Sequence, residues 1–151
     1  MLFRSYSVGG AISIINDFNV TGSEFINSST KGDNSNGGAI FIEVGVVNVV
    51  NSNFTNSSTS GNHSDGGAIW IFSSHLNVKD SNFVNSSANG HGGVIFTDSA
   101  DVVVNGSTFT NSSAKGMGGV ICSPSYTNNR NIVVDDSTFT NSSTTGGLSC
   151  A

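Results

Sequence analysis

The chain reads as an all-β protein, a parallel β-helix (solenoid) of about five coils of 26–29 residues with three short strands each, and three observations predict it. Gly-Gly pairs begin at Gly9, Gly37, Gly66, Gly92, Gly118 and Gly146, and self-similarity at such a period is the mark of stacked repeats. Between them recurs Phe-x-Asn-Ser-Ser, starting at Phe25, Phe54, Phe83, Phe109 and Phe139. The fifth residue before each phenylalanine is a valine every time: Val20, Val49, Val78, Val104 and Val134.

Each Gly-Gly is followed by alternating β-branched residues, Ile12 and Ile14, Ile40 and Ile42, Ile69 and Ile71, then Ile95 with Thr97 and Ile121 with Ser123. Period-two spacing of this kind predicts a half-buried first strand. The column of five valines predicts a second. Three residues before each phenylalanine stand Gly22, Asn51, Asp80, Gly106 and Asp136, residue types that tolerate a left-handed turn. Beyond that turn the phenylalanine begins a third short strand. The asparagines two residues on, Asn27, Asn56, Asn85, Asn111 and Asn141, share its parity, so they are expected inside, donating amide to carbonyl from coil to coil.

One repeat cannot close a core alone: about five buried apolar side chains fall well short of the backbone entropy of such a segment. Stacking is required. Successive coils then place like residues about 4.8 Å apart, in ladders. The whole chain, residues 1–151, reads as a single β-helix segment: residues 1–8 as the remnant of a preceding coil, coils starting at 9, 37, 66, 92 and 118, and a partial coil from 146. The fifth repeat is lengthened by residues 123–130, which predicts a protruding turn.

Composition narrows the function. Ten Phe and many Val and Ile at fixed offsets argue against disorder despite the abundance of Gly, Ser, Thr and Asn. Five Lys and Arg against ten Asp and Glu give a net charge of −5, and the cations are scattered, which argues against nucleic acid. No apolar run reaches the length of a membrane-spanning helix, and the first ten residues are too weakly apolar to be a secretory signal.

Gly-Gly-Ala-Ile alternating with Phe-x-Asn, over essentially the whole chain, resembles the repeats of the chlamydial polymorphic outer-membrane proteins and of the adhesin-like surface proteins of methanogenic archaea. The chlamydial motif is Phe-x-x-Asn; here that fourth position is Ser28, Ser57, Ser86, Ser112 or Ser142, and asparagine comes one residue earlier. The resemblance implies a right-handed β-helix outside the cell, commonly an adhesin or passenger domain.

Several residues are candidates for more than scaffolding. With the isoleucines inward, Phe41, Trp70 and Phe96 form an outward aromatic column able to stack on sugars or bury against a protein; the opposite parity, or a stripe covered by a loop, remains open. Tyr126 and Arg130 in the long turn are the other binding candidates. Cys122 and Cys150 hold the same place in adjacent repeats, a spacing that a disulfide accepts, or they are two thiols. Of nine Asn-x-Ser/Thr sequons, Asn53 and Asn62 are expected to carry glycan before Asn56, whose side chain is expected inside.

Catalysis is not expected. The best carboxylate pair, Glu43 and Asp98, is two coils apart with Phe72 between, about 10 Å and so at the limit for an inverting pair. His63, His75 and His91 fall at different offsets and form no metal-ligand column, and no cofactor is expected. A Thr-x-Thr row for ice binding, Thr108, Thr110, Thr138 and Thr140, is broken in the earlier repeats. The expected role is therefore an extracellular or cell-surface adhesin-like segment. Its partner would be a host or neighbouring-cell surface glycan or protein, or copies of itself. The alternative is a fibre subunit stacking end to end through uncapped coil ends.

Overall fold

The computed structural model describes residues 8–124 and 130–146. The first coil carries β1 (Ile12–Ile14), β2 (Phe18–Thr21), β3 (Glu24–Ile26) and β4 (Ser29–Thr30). The second carries β5 (Ile40–Ile42), β6 (Val46–Val50), β7 (Asn53–Thr55) and β8 (Ser58–Thr59). The third carries β9 (Ile69–Phe72), β10 (His75–Lys79), β11 (Asn82–Val84) and β12 (Ser87–Ala88). The fourth carries β13 (Ile95–Asp98), β14 (Asp101–Asn105), β15 (Thr108–Thr110) and β16 (Ser113–Ala114). The fifth carries β17 (Ile121–Cys122), β18 (Ile132–Asp135), β19 (Thr138–Thr140) and β20 (Ser143–Thr144).

Equivalent strands of successive coils pair in parallel into four five-stranded sheets, so the chain is a parallel β-solenoid in which four full turns separate the first rung from the last. Pairing is in register: Phe25 opposes Phe54, Phe83 opposes Phe109, and Val78 opposes Val104. Each repeat supplies four strands rather than the three expected. The extra one is only two residues long, Ser-Thr or Ser-Ala, too short to leave a period-two trace in the sequence.

The core consists of the expected columns. Ile40, Ile42, Ile69 and Ile71 from the first sheet, and Val49, Val78 and Val104 from the second, are buried. Phe54, Phe83 and Phe109 from the third sheet are fully buried, and the column from Phe25 to Phe139 stacks ring on ring at 4.5–5.0 Å. In the last coil Val134 and Phe139 are exposed.

The turns explain where the sequence reading of facing fails. Asn51 and Asp80 adopt positive φ, as expected of the corner before the third sheet. Asn27, Asn56, Asn85, Asn111 and Asn141 do so too, at φ 53–57°, and are therefore corner residues rather than strand residues. A left-handed residue breaks the two-residue alternation. The asparagine side chains consequently lie outside, not in the core, and the serine after each of them turns inward. The amide ladder itself exists on the surface: each Nδ2 donates to the Oδ1 one coil earlier, at 2.9, 3.1, 3.0 and 3.2 Å from Asn56 to Asn141.

Two serine columns run beside it with opposite fates. The serine after the earlier corner is doubly satisfied: the Ser81 hydroxyl accepts from the Ser52 N–H at 3.1 Å and donates to the Lys79 carbonyl at 2.8 Å. Ser57, Ser86 and Ser112, by contrast, bury hydroxyls with no hydrogen-bond partner.

The Gly-Gly corner needs both glycines, for different reasons. Gly66 has φ 66°, while a Cβ on Gly67 would lie 2.1 Å from the Gly93 carbonyl oxygen of the next coil. The residue before the pair links coils by its side chain. Asp65 N–H donates to Asn36 Oδ1 at 2.9 Å, His91 N–H to Asp65 Oδ1 at 2.6 Å, and Met117 N–H to His91 Nδ1 at 2.8 Å.

Candidate interaction face

The outer side of the first sheet is where the binding candidates meet. With its isoleucines buried, alternation sends Phe41 and Trp70 outward. Their rings stack at 4.5 Å with an interplanar angle of 0°, and both remain half-buried. Trp70 buries its Nε1 without an acceptor. Phe96 continues the column at 6.4 Å but is only 7% exposed, so it is not the open binding residue that the outward column leads one to expect. The His91 ring, from the segment before the Gly-Gly corner, lies 6.2 Å from Phe96. Cys122 opposes Phe96 on the next rung and is fully buried. The column is thus open on the second and third coils and closed on the fourth and fifth.

Tyr126 and Cys150 lie outside the described residues, and with Cys150 the expected disulfide. Arg130 is exposed, and its guanidinium is 3.9 Å from the Asp101 carboxylate. Asp101 also meets His75 Nε2 at 3.0 Å and accepts from the Asn131 N–H at 2.9 Å. Arg130 is therefore tied to the second sheet and does not join the aromatic column.

Asn53 and Asn62 are exposed, but so is Asn56, which removes the reason for ranking it below them. The Asn53 amide is also engaged, accepting from Asn82 Nδ2 at 2.9 Å. Thr108 with Thr138 and Thr110 with Thr140 pair in register, while the same positions one coil earlier are Asn82 and Val84.

Phe72 was singled out in the sequence only as a spacer. It belongs to the outer face of β9, two residues after Trp70, with its ring 6.2 Å from Trp70's and within 15° of parallel, and it is 38% exposed. Asp98 opposes it on the following coil. Glu43 follows directly on Ile42, the partner of Ile71. Glu43 and Asp98 thus belong to the second and fourth coils, with Phe72 on the third between them. Period-two counting onward from Trp70 reaches Phe72, which is the signal that could have brought it into the binding set.

Asp65 carries a half-buried carboxyl just before the Gly-Gly corner. Burial holds it above its ordinary value of 3.8, opposed by the His91 backbone N–H and by the His91 and His63 imidazoles when charged. Among the described residues no group of three or more His, Cys, Asp or Glu is placed to hold a metal ion, and no helix is long and apolar enough to cross a membrane.

Among the described residues a recess of about 490 Å³ opens at the fifth coil, lined by Val120, Ile121, Ile132, Val134 and Phe139. Comparison with protein-family models, with curated proteins and with solved structures found no match.

Proposed function

We propose that the chain is a non-catalytic, adhesin-like segment of an extracellular or cell-surface protein, a rigid stalk that presents an aromatic face to a surface glycan or protein. The observation that carries the reading is the half-open Phe41–Trp70 stack on the outer side of the first sheet. Aromatic rings held edge-out on a hydrogen-bonded scaffold offer contact area that is already ordered, so binding costs little conformational entropy. The resemblance of the repeats to those of surface adhesins points the same way, and so does the abundance of sequons in the exposed corners.

The test is attachment of the immobilised chain to cells and to a glycan array, with Trp70→Ala and Tyr126→Ala combined in one variant whose fold is checked by circular dichroism. Loss of at least about tenfold in bound target is expected from removing two aromatic anchors. Undiminished attachment by the folded double variant would discard the site.

A second reading, a subunit that stacks end to end into a fibre, is favoured by a separate observation. Among the described residues the fifth coil leaves Ile132, Val134 and Phe139 exposed, on strands that pair on one side only. Unpaired parallel strands with an apolar inner column invite another chain. Sedimentation of the purified chain separates the two readings: growth with concentration into long assemblies favours the fibre, and a monomer at every concentration rules it out.

A further inference from the structure

The connection from the phenylalanine of each coil to the next Gly-Gly corner shortens along the stack. It spans twelve residues from Phe25 to Gly37 and from Phe54 to Gly66, nine from Phe83 to Gly92 and from Phe109 to Gly118, and seven from Phe139 to Gly146. Beside the shortened connections, among the described residues, a groove of about 350 Å³ lies over the outer side of the fourth sheet. Its lining includes Ser60, Ser87, Asn89, Ser113, Lys115 and Ser143. Alternation on β12 and β16 buries Ala88 and Ala114 and turns Ser87 and Ser113 outward, half-buried in the groove. In-register pairing puts Ser87, Ser113 and Ser143 on three successive rungs, about 4.8 Å apart. None of these three hydroxyls has a hydrogen-bond partner among the described residues. The exposed Lys115 ammonium makes no ion pair there either, since both pairs involve Asp101. Among the described residues no carboxylate and no aromatic ring lines the groove. The backbone beneath is already paired: the Ser87, Asn89, Ser113 and Lys115 N–H groups each donate to the coil before.

We propose that this groove binds an unbranched acidic polysaccharide, a chain of uronate units, with one sugar over each serine and a carboxylate on Lys115. The groove is separate from the aromatic face and does not depend on it. A glycan carries hydroxyls on every unit, and a pyranose unit is close to one rung in length. A row of unpartnered serine hydroxyls therefore meets a row of sugar hydroxyls at nearly the same period, and each contact satisfies a donor and an acceptor. The ammonium adds one charge-assisted hydrogen bond, which a carboxylated sugar makes and a neutral one does not. A peptide is poorly served here: the backbone N–H groups are taken, and serine, threonine and alanine side chains form no pocket for an anchor. Nucleic acid needs clustered cations, and a single lysine lines the groove.

The experiment titrates the full chain with galacturonate and mannuronate trimers by isothermal calorimetry and follows the backbone amides by NMR. The methyl-esterified trimers, neutral and otherwise identical, are the controls. At least one acid trimer is expected to bind, to shift the amides of Ser87, Ser113 and Lys115, and to weaken about tenfold on esterification. Lys115→Gln, at an exposed position, is expected to give the same loss. Ser113→Leu, which fills the groove from an outward position, is expected to abolish binding. Circular dichroism checks that both variants fold. No binding of either acid trimer, equal binding of acid and ester, or undiminished binding by the folded variants would overturn the site. Shifts confined to Phe41 and Trp70 would overturn it too, by moving the sugar to the aromatic face. Trimer binding at the groove by a chain that attaches to no cell discards the adhesin reading and leaves this site standing.

Discussion

The third coil and the fifth have nearly the same sequence pattern and very different interiors. Phe83, Val78 and Leu76 in the third are at most 1% exposed, whereas Phe139, Val134 and Ile132 in the fifth are 43%, 42% and 36% exposed. Neither the residue types nor the backbone differ enough to account for this. The difference is that a rung lies on both sides of the third coil, while among the described residues a rung lies on only one side of the fifth. Burial here is a property of the stack, conferred by neighbours one coil away. Stability in such a fold is accordingly a sum of nearest-neighbour terms.

Truncating the two stacked phenylalanines tests this most strongly. Phe83→Ala removes a ring stacked on both faces and leaves a cavity, and is expected to cost about 3–5 kcal/mol in denaturant unfolding. Phe139→Ala removes a ring stacked on one face and open on the other, and is expected to cost about 1 kcal/mol. Equal losses would mean that the fifth coil is as enclosed as the third.

The surface ladder gives a smaller contrast of the same kind. Asn85 shares amide bonds with both neighbours, while among the described residues Asn141 bonds only to Asn111. Alanine at either site carries the same penalty for its left-handed backbone, so the difference isolates one exposed amide bond. Asn85→Ala is expected to exceed Asn141→Ala by about 0.5–1 kcal/mol. A difference near zero would show that the external ladder adds nothing beyond the turn conformation.

The weakest effect depends on pH and is confined to the middle of the stack. Asp65, just before the third coil's Gly-Gly pair, stands where Asn36 stands before the second coil's, and each caps a backbone N–H one repeat further on. Burial raises the Asp65 value when folded, so the folded chain binds this proton more readily than the unfolded chain. Its contribution to stability is therefore full below the ordinary carboxylate value and is lost as pH rises through the folded one. Asp65→Asn keeps an acceptor without the buried charge. The variant should be more stable than the wild type at neutral pH, and its advantage should shrink as pH falls through that window. An advantage independent of pH would assign the gain to something other than the charge.

The sequence carried most of the fold because stacking in register makes every inward position repeat its own chemistry. The valine before each phenylalanine and the Gly-Gly pair were legible for that reason. What was not legible depended on φ. Asn27 and its equivalents read as strand residues by spacing, but their left-handed conformation puts them outside and sends Ser57, Ser86 and Ser112 inward. The two-residue fourth strand has no period to detect. The site was legible in part: Phe41 and Trp70 face outward, but the closure over Phe96 comes from His91 at the end of the third coil and Cys122 in the fifth, which no pattern within one strand encodes.

In-register pairing has a consequence for size. A whole repeat inserted among the coils adds about 4.8 Å along the axis and leaves every outward column straight. A shift by one residue would turn a strand's core side chains to solvent. The reach of this molecule is therefore digital: it grows or shrinks by complete rungs, and whatever chemistry one rung displays travels unchanged to the new height.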